Sequence, residues 1–150
     1  MSDTVQIVQA FESRVREQLP ELTTALCGGA PDGYGNHVVL DSPWPRNPGR
    51  CRLGAFYSPG DCFEVSFSVA EARGPAERQI LVGSDSAGAV TATVDFLRDI
   101  LSDRILVDVF RHRLLWFQPY HLAFFREASS PPRGRVVETL RWNGKDEDAG

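Results

Sequence analysis

The sequence predicts an α+β fold: an antiparallel sheet of about five to six strands with two main helices packed on one face. Two observations carry that expectation. Two stretches repeat apolar residues at three- and four-residue steps, and several short runs alternate or are β-branched. Their order is the second: one helical stretch leads, a meander of strands follows, then a second helix and closing strands.

The leading stripe runs from Thr4 to about Cys27 through Val8, Phe11, Val15, Leu19, Leu22 and Leu26. Pro20 requires either a kink or a second short helix with proline in its first turn, and Gly28-Gly29 end the element. "HVVL" at 37–40 is a short strand feeding "DSPWPRNPGR", whose three prolines and glycine exclude a central strand. "CRLGAFY" and "CFEVSFSVA", joined by "SPGD", form a hairpin in which Phe63, Val65, Phe67 and Val69 share a face. "RQILVG" at 78–83 is the next strand. "SDSAGAVTATVDFLRDILSD" then opens on capping residues and lines up Val90, Val94, Leu97 and Leu101. "RILVDVF" and "LLWF", split by Arg-His-Arg, read as a second strand pair, and residues 136–142 as the last strand. Between them "PYHLAFFREASSPPRGR" is open between a short helix and an irregular crossover.

A chain of 150 residues is of one-domain size, so a single α+β domain over 1–150 is expected, with 145–150 as a flexible acidic tail. Asp3, Glu12 and Arg14 interrupt the apolar core a secretory signal needs, and no apolar run approaches the roughly 20 residues of a membrane span, so the expected location is cytoplasmic. A net charge of −4 argues against nucleic acid as a partner, with a local patch from Arg46, Arg50 and Arg52 or from Arg111 and Arg113 as the alternative. Cys27, Cys51 and Cys62 leave at least one thiol unpaired and have no CxxC spacing, so neither a disulfide framework nor a zinc site is expected.

No catalytic motif emerges. His37, His112 and His121 fall on separate elements and form no metal-binding pattern. A Cys-His-acid set assembled in space needs His37 or His121 within hydrogen-bond reach of a thiol, hydroxyl or carboxylate in a pocket. Cys27 and Cys62 read instead as small buried hydrophobes. "GGAPDGYG" lacks the phosphate-loop pattern and precedes a strand, and Asp95, Arg98 and Asp99 fit an exposed salt-bridged helix face. No cofactor and no metal are implied.

Two features stand out. Trp44 lies between prolines beside Arg46, and two readings stand: an interface anchor presented by a stiff loop, or a plug folded back on the sheet edge. The chain ends on Trp142, Asn143-Gly144 and the acids Asp146, Glu147 and Asp148, which read either as a frayed solubilising terminus or as a charge complement to a basic partner.

"QLPEL", the "SP" after the first strand, "CFEVSFS", "FLRDILSDRILVDV" and the terminal "LRWNGKDED" together resemble small bacterial proteins that end in a Ser-Trp-Asn/Arg-Gly-Thr-Tyr-Asp-like motif. Their layout is similar to that of the α+β immunity proteins of toxin systems. Arg141 stands where that motif has serine, and Lys145-Asp146 replaces its Thr-Tyr-Asp ending. The resemblance implies a non-enzymatic protein that neutralises a toxin by binding it, and it transfers no site residue. The expected partner is therefore another protein, with Trp44, Arg46, Trp142, Asp146, Glu147 and Asp148 as candidate contacts and the oligomeric state open. A dimeric chaperone for a secreted effector and a small Cys/His enzyme are the alternatives.

Overall fold

The computed structural model describes residues 3–44, 49–113 and 118–143. The elements follow in the order α1 (Asp3–Gln18), β1 (Gly35–Asp41), β2 (Cys51–Ser58), β3 (Cys62–Val69), β4 (Ala76–Leu81), α2 (Ser86–Leu101), β5 (Ile105–His112), β6 (Tyr120–Glu127) and β7 (Glu138–Leu140). The class is α+β, as the sequence predicts. Its strands divide into a four-stranded sheet, β1-β2-β3-β4, and a three-stranded sheet, β6-β5-β7, where a single sheet was expected. Contacts gather the described residues into two compact units that interleave in sequence: Met1–Leu40, Leu53–Ser66 and Arg78–Arg98 form one, and Asp41–Arg52, Phe67–Glu77 and Asp99–Gly150 the other. No helix among the described residues is long and apolar enough to cross a membrane.

In the first unit the predicted stripe breaks at Pro20. α1 ends at Gln18 and a 3₁₀ helix, Pro20–Ala25, starts with proline in its first turn, where the missing N–H is harmless. Val8, Phe11 and Val15 are buried, and the Phe11 ring lies 5.0 Å from Phe63 of β3. Tyr57 meets Phe63 edge-on at 4.7 Å and stacks on Tyr34 at 5.8 Å. From α2, Val90, Val94 and Leu97 are buried as their spacing predicts, and the Arg78 guanidinium of β4 sits 4.2 Å from the Phe96 ring. Burial pushes the Cys62 thiol up, helped by the charge of Glu64. Cys27 departs from expectation and is exposed. The helical stripe has already ended at Ala25, and Leu26 pairs across to Val38, so Cys27 faces outward.

In the second unit the chain over 120–127, left open between helix and crossover, is strand β6, and it pairs antiparallel with β5. The expected strand at "LLWF", residues 114–117, lies outside the described residues. The last strand is shorter than 136–142: only Glu138–Leu140 pairs, on the other side of β5, with Val107 opposite Leu140 and Val109 opposite Glu138. β5 is central, and its run Ile105, Leu106, Val107, Asp108 and Val109 is buried throughout.

Candidate interaction surface

Of the candidate contacts proposed from sequence, Trp44 and Trp142 lie among the described residues, and both are buried. Trp44 is 1 % exposed, and its Nε1–H donates to the Trp142 carbonyl oxygen at 3.0 Å. Of the two readings, the plug is the one observed, because a buried indole needs a partner for its N–H and finds it here. Trp142 is buried too, its ring 5.9 Å from Phe67 in an edge-on arrangement. Asn143 anchors this end of the chain: its N–H donates to Asp103 Oδ1 at 3.2 Å and its Nδ2 to the Leu101 carbonyl at 2.6 Å. Arg46, Asp146, Glu147 and Asp148 lie outside the described residues.

His37 does reach a carboxylate, but inside the first unit's core. Its Nδ1 is 2.7 Å from Glu12 Oε1 and its Nε2 is 2.7 Å from the Gly33 carbonyl, and the residue has no exposed surface. A carbonyl can only accept, so Nε2–H donates to Gly33, and Nδ1 is the atom that faces the Glu12 carboxyl. Both ring nitrogens are engaged inside the core. Among the described residues, the clefts include one of about 390 Å³ in the first unit, reached by Asp3, Gln6, Asp61, Ser84 and Ser86, and one of about 350 Å³ in the second, reached by Asp99, Arg104 and Glu127. Neither brings a histidine or a thiol to its lining.

A different surface emerges on the second unit. Strand alternation places Val107 and Val109 of β5 beside Ala123 and Leu140, and all four are buried. The opposite face carries Leu106, Asp108, Phe110 and His112, flanked by Tyr120, Leu122 and Phe124. Phe110 and Phe124 meet at 5.8 Å with their planes at 64°, and Phe124 is 52 % exposed. His112 lies 5.1 Å from Tyr120, over which the Arg73 guanidinium sits at 4.6 Å. Val137, whose N–H donates to the Val109 carbonyl, is 55 % exposed. Apolar side chains thus cluster on a sheet face that stays partly in water.

Charge pairs hold that face rigid. Asp108 is 2 % exposed, and its carboxylate accepts from Arg126 Nε at 2.5 Å, Arg126 Nη2 at 3.2 Å and Thr139 Oγ1 at 2.8 Å. One carboxylate therefore ties all three strands together, and Arg126 Nη1 continues to the Ser130 carbonyl. β7 is held further by Arg50, which grips Glu138 with two parallel hydrogen bonds of 2.9 and 2.5 Å and reaches Glu71 at 2.8 Å. The guanidinium holds the Glu138 carboxyl below its ordinary range, against the opposing pull of burial, and Glu138 in turn raises Arg50.

Sequence reading missed Phe110, Leu122, Phe124, Asp108 and Arg126. The signals were present: "HLAFF" offers apolar residues to both faces of a strand, and a single acid inside "ILVDVF" demands a buried partner. No protein-family model, curated protein or solved structure matches the chain.

Proposed function

We propose that the protein is a non-catalytic protein-binding module, an immunity protein that neutralises a bacterial toxin by covering it, and that it binds through the β5–β6 face. The half-exposed aromatic cluster around Phe110 and Phe124 carries the reading. Rigid aromatic side chains on a braced sheet contribute contact area at low ordering cost, which is what interface anchors require. The anchor role expected of Trp44 passes to Phe124, since Trp44 is spent in the core.

The same cluster supports the chaperone reading, in which apolar surface receives an unfolded effector segment. Light scattering separates the two, because that reading requires a stable homodimer. The direct experiment is co-expression with the toxin encoded beside the gene. Rescue of growth, abolished by Phe124→Glu in a chain whose circular dichroism is unchanged, is the expected result. Full protection by Phe124→Glu would remove this face from the function, and absence of protection by the wild-type chain would remove the immunity reading.

A further inference from the structure

Helix α2 ends in a left-handed turn whose last carbonyl is satisfied by a distant residue. Asp103 has φ 60°, its N–H donates to the Ile100 carbonyl at 3.2 Å, and the Arg104 N–H donates to the Asp99 carbonyl at 2.8 Å. The next carbonyl, that of Leu101, accepts the side-chain amide of Asn143 at 2.6 Å, while Asp103 Oδ1 accepts the Asn143 N–H at 3.2 Å. Asn143 therefore caps a helix that ended 42 residues earlier. This bond needs a donor on that side chain. An aspartate of the same shape would set acceptor against acceptor, and would place a negative charge beside Asp103 and at the negative end of the helix dipole.

The sequence exposes this same amide to a reaction that makes that change. Asn36 is followed by His37 and Asn47 by Pro48, whereas Asn143 is followed by Gly144. A glycine has no side chain to keep its nitrogen from the Cγ of the asparagine before it. The nitrogen of Gly144 gives its proton to solvent and bonds to Asn143 Cγ, the Cγ–Nδ2 bond breaks, and Nδ2 takes up a proton and leaves as ammonia. Water then opens the cyclic imide to aspartate or to its β-linked isomer. One water is consumed, one ammonia is released and one negative charge is gained, with nothing oxidised or reduced.

We infer that Asn143 is a modification site, at which spontaneous deamidation acts as a one-way release of the chain from the end of α2. In the folded protein the bonds to Leu101 and Asp103 protect the amide, because a side chain held on the Leu101 carbonyl is not free to turn back onto its own backbone. The reaction therefore proceeds through local opening of this corner. Once the amide is lost, the new carboxylate is repelled by the Leu101 carbonyl and by Asp103, and the corner does not close again.

The test ages the full-length chain in mildly alkaline buffer, with and without denaturing urea, and follows each asparagine by peptide mass mapping, where conversion shows as the mass gain of an acid over an amide. Conversion at Asn143 is expected in both conditions, about tenfold or more slower in the folded chain, with Asn36 and Asn47 unchanged. Asp103→Gly suits the positive φ and removes the acceptor of the Asn143 N–H, so it is expected to speed conversion in buffer and leave the rate in urea unchanged. Hydrogen exchange supplies the second readout. The aged chain and Asn143→Asp are expected to exchange the Trp142 and Asn143 amides faster than the fresh wild type while β5 keeps its protection, and Asp103→Asn added to Asn143→Asp is expected to restore part of the loss. Equal conversion rates in buffer and urea, conversion confined to urea, or unchanged exchange in Asn143→Asp would each overturn the inference. The comparison of buffer with urea uses the wild-type chain alone, so it decides the matter even if Asp103→Gly does not fold.

Discussion

At the scale of single residues, the tightest constraint surrounds His37. Gly28 and Gly29 both hold positive φ, at 79° and 63°, but their surroundings differ. A Cβ on Gly28 meets nothing within 4 Å, whereas one on Gly29 would stand 2.6 Å from His37 Cε1 and 2.7 Å from Nε2. Gly28→Ala is therefore expected to cost only the left-handed backbone strain, about 1 kcal/mol. Gly29→Ala adds displacement of a wholly buried ring from both its hydrogen bonds, for a total of about 2–4 kcal/mol. Urea denaturation of the two variants checks this, and equal losses would mean that the ring yields freely. The sequence pair "GG" was legible as a helix terminator. That its second glycine makes room for an imidazole was not, because the contact depends on β1 returning beside that loop.

At the scale of elements, β7 is three residues long and depends on side chains as much as on its ladder. Arg50 lowers the Glu138 carboxyl in the folded chain, so the pair's contribution is fully present above the ordinary carboxylate value of about 4.3 and disappears as pH falls through the folded value. Glu138→Gln should cost about 1 kcal/mol at neutral pH and should flatten the acid limb of stability against pH. Denaturant titrations across that range would refute the assignment if wild type and variant lost stability in parallel. Local patterns made most of the helices and the β2–β3 hairpin readable. β6 was not readable, because its apolar residues face both sides and periodicity cannot tell such a run from a short helix. The division into two sheets was hidden for a related reason: strand pairing is a non-local choice, and β5 takes its neighbours from segments on either side of a long connection.

Across the whole molecule, composition was a fair guide to class and a poor guide to the surface. One of the two readings of the acidic tail pointed to a basic partner, yet the apolar face lies within residues 104–135, which carry six arginines against two carboxylates. The two tryptophans singled out as contacts became core, while Phe124, in a segment left open between a short helix and a crossover, became surface. Proline-rich flanks do stiffen a loop, as argued for Trp44, but stiffness fixes a side chain inward as readily as outward.

The Trp44 to Trp142 hydrogen bond spans 98 residues and the Arg50 to Glu138 pair spans 88. Closures of that length pay their chain entropy before any contact rewards it, so they favour the late side of the folding barrier. Trp44→Phe, which deletes only the indole N–H and part of the ring, is therefore expected to quicken unfolding in stopped-flow experiments and leave refolding nearly unchanged. Refolding slowed by the full loss in stability would instead place the meeting of these distant segments at the start. The two tryptophans chosen as a docking site would then serve as an optical clock for the moment these two distant segments close on each other.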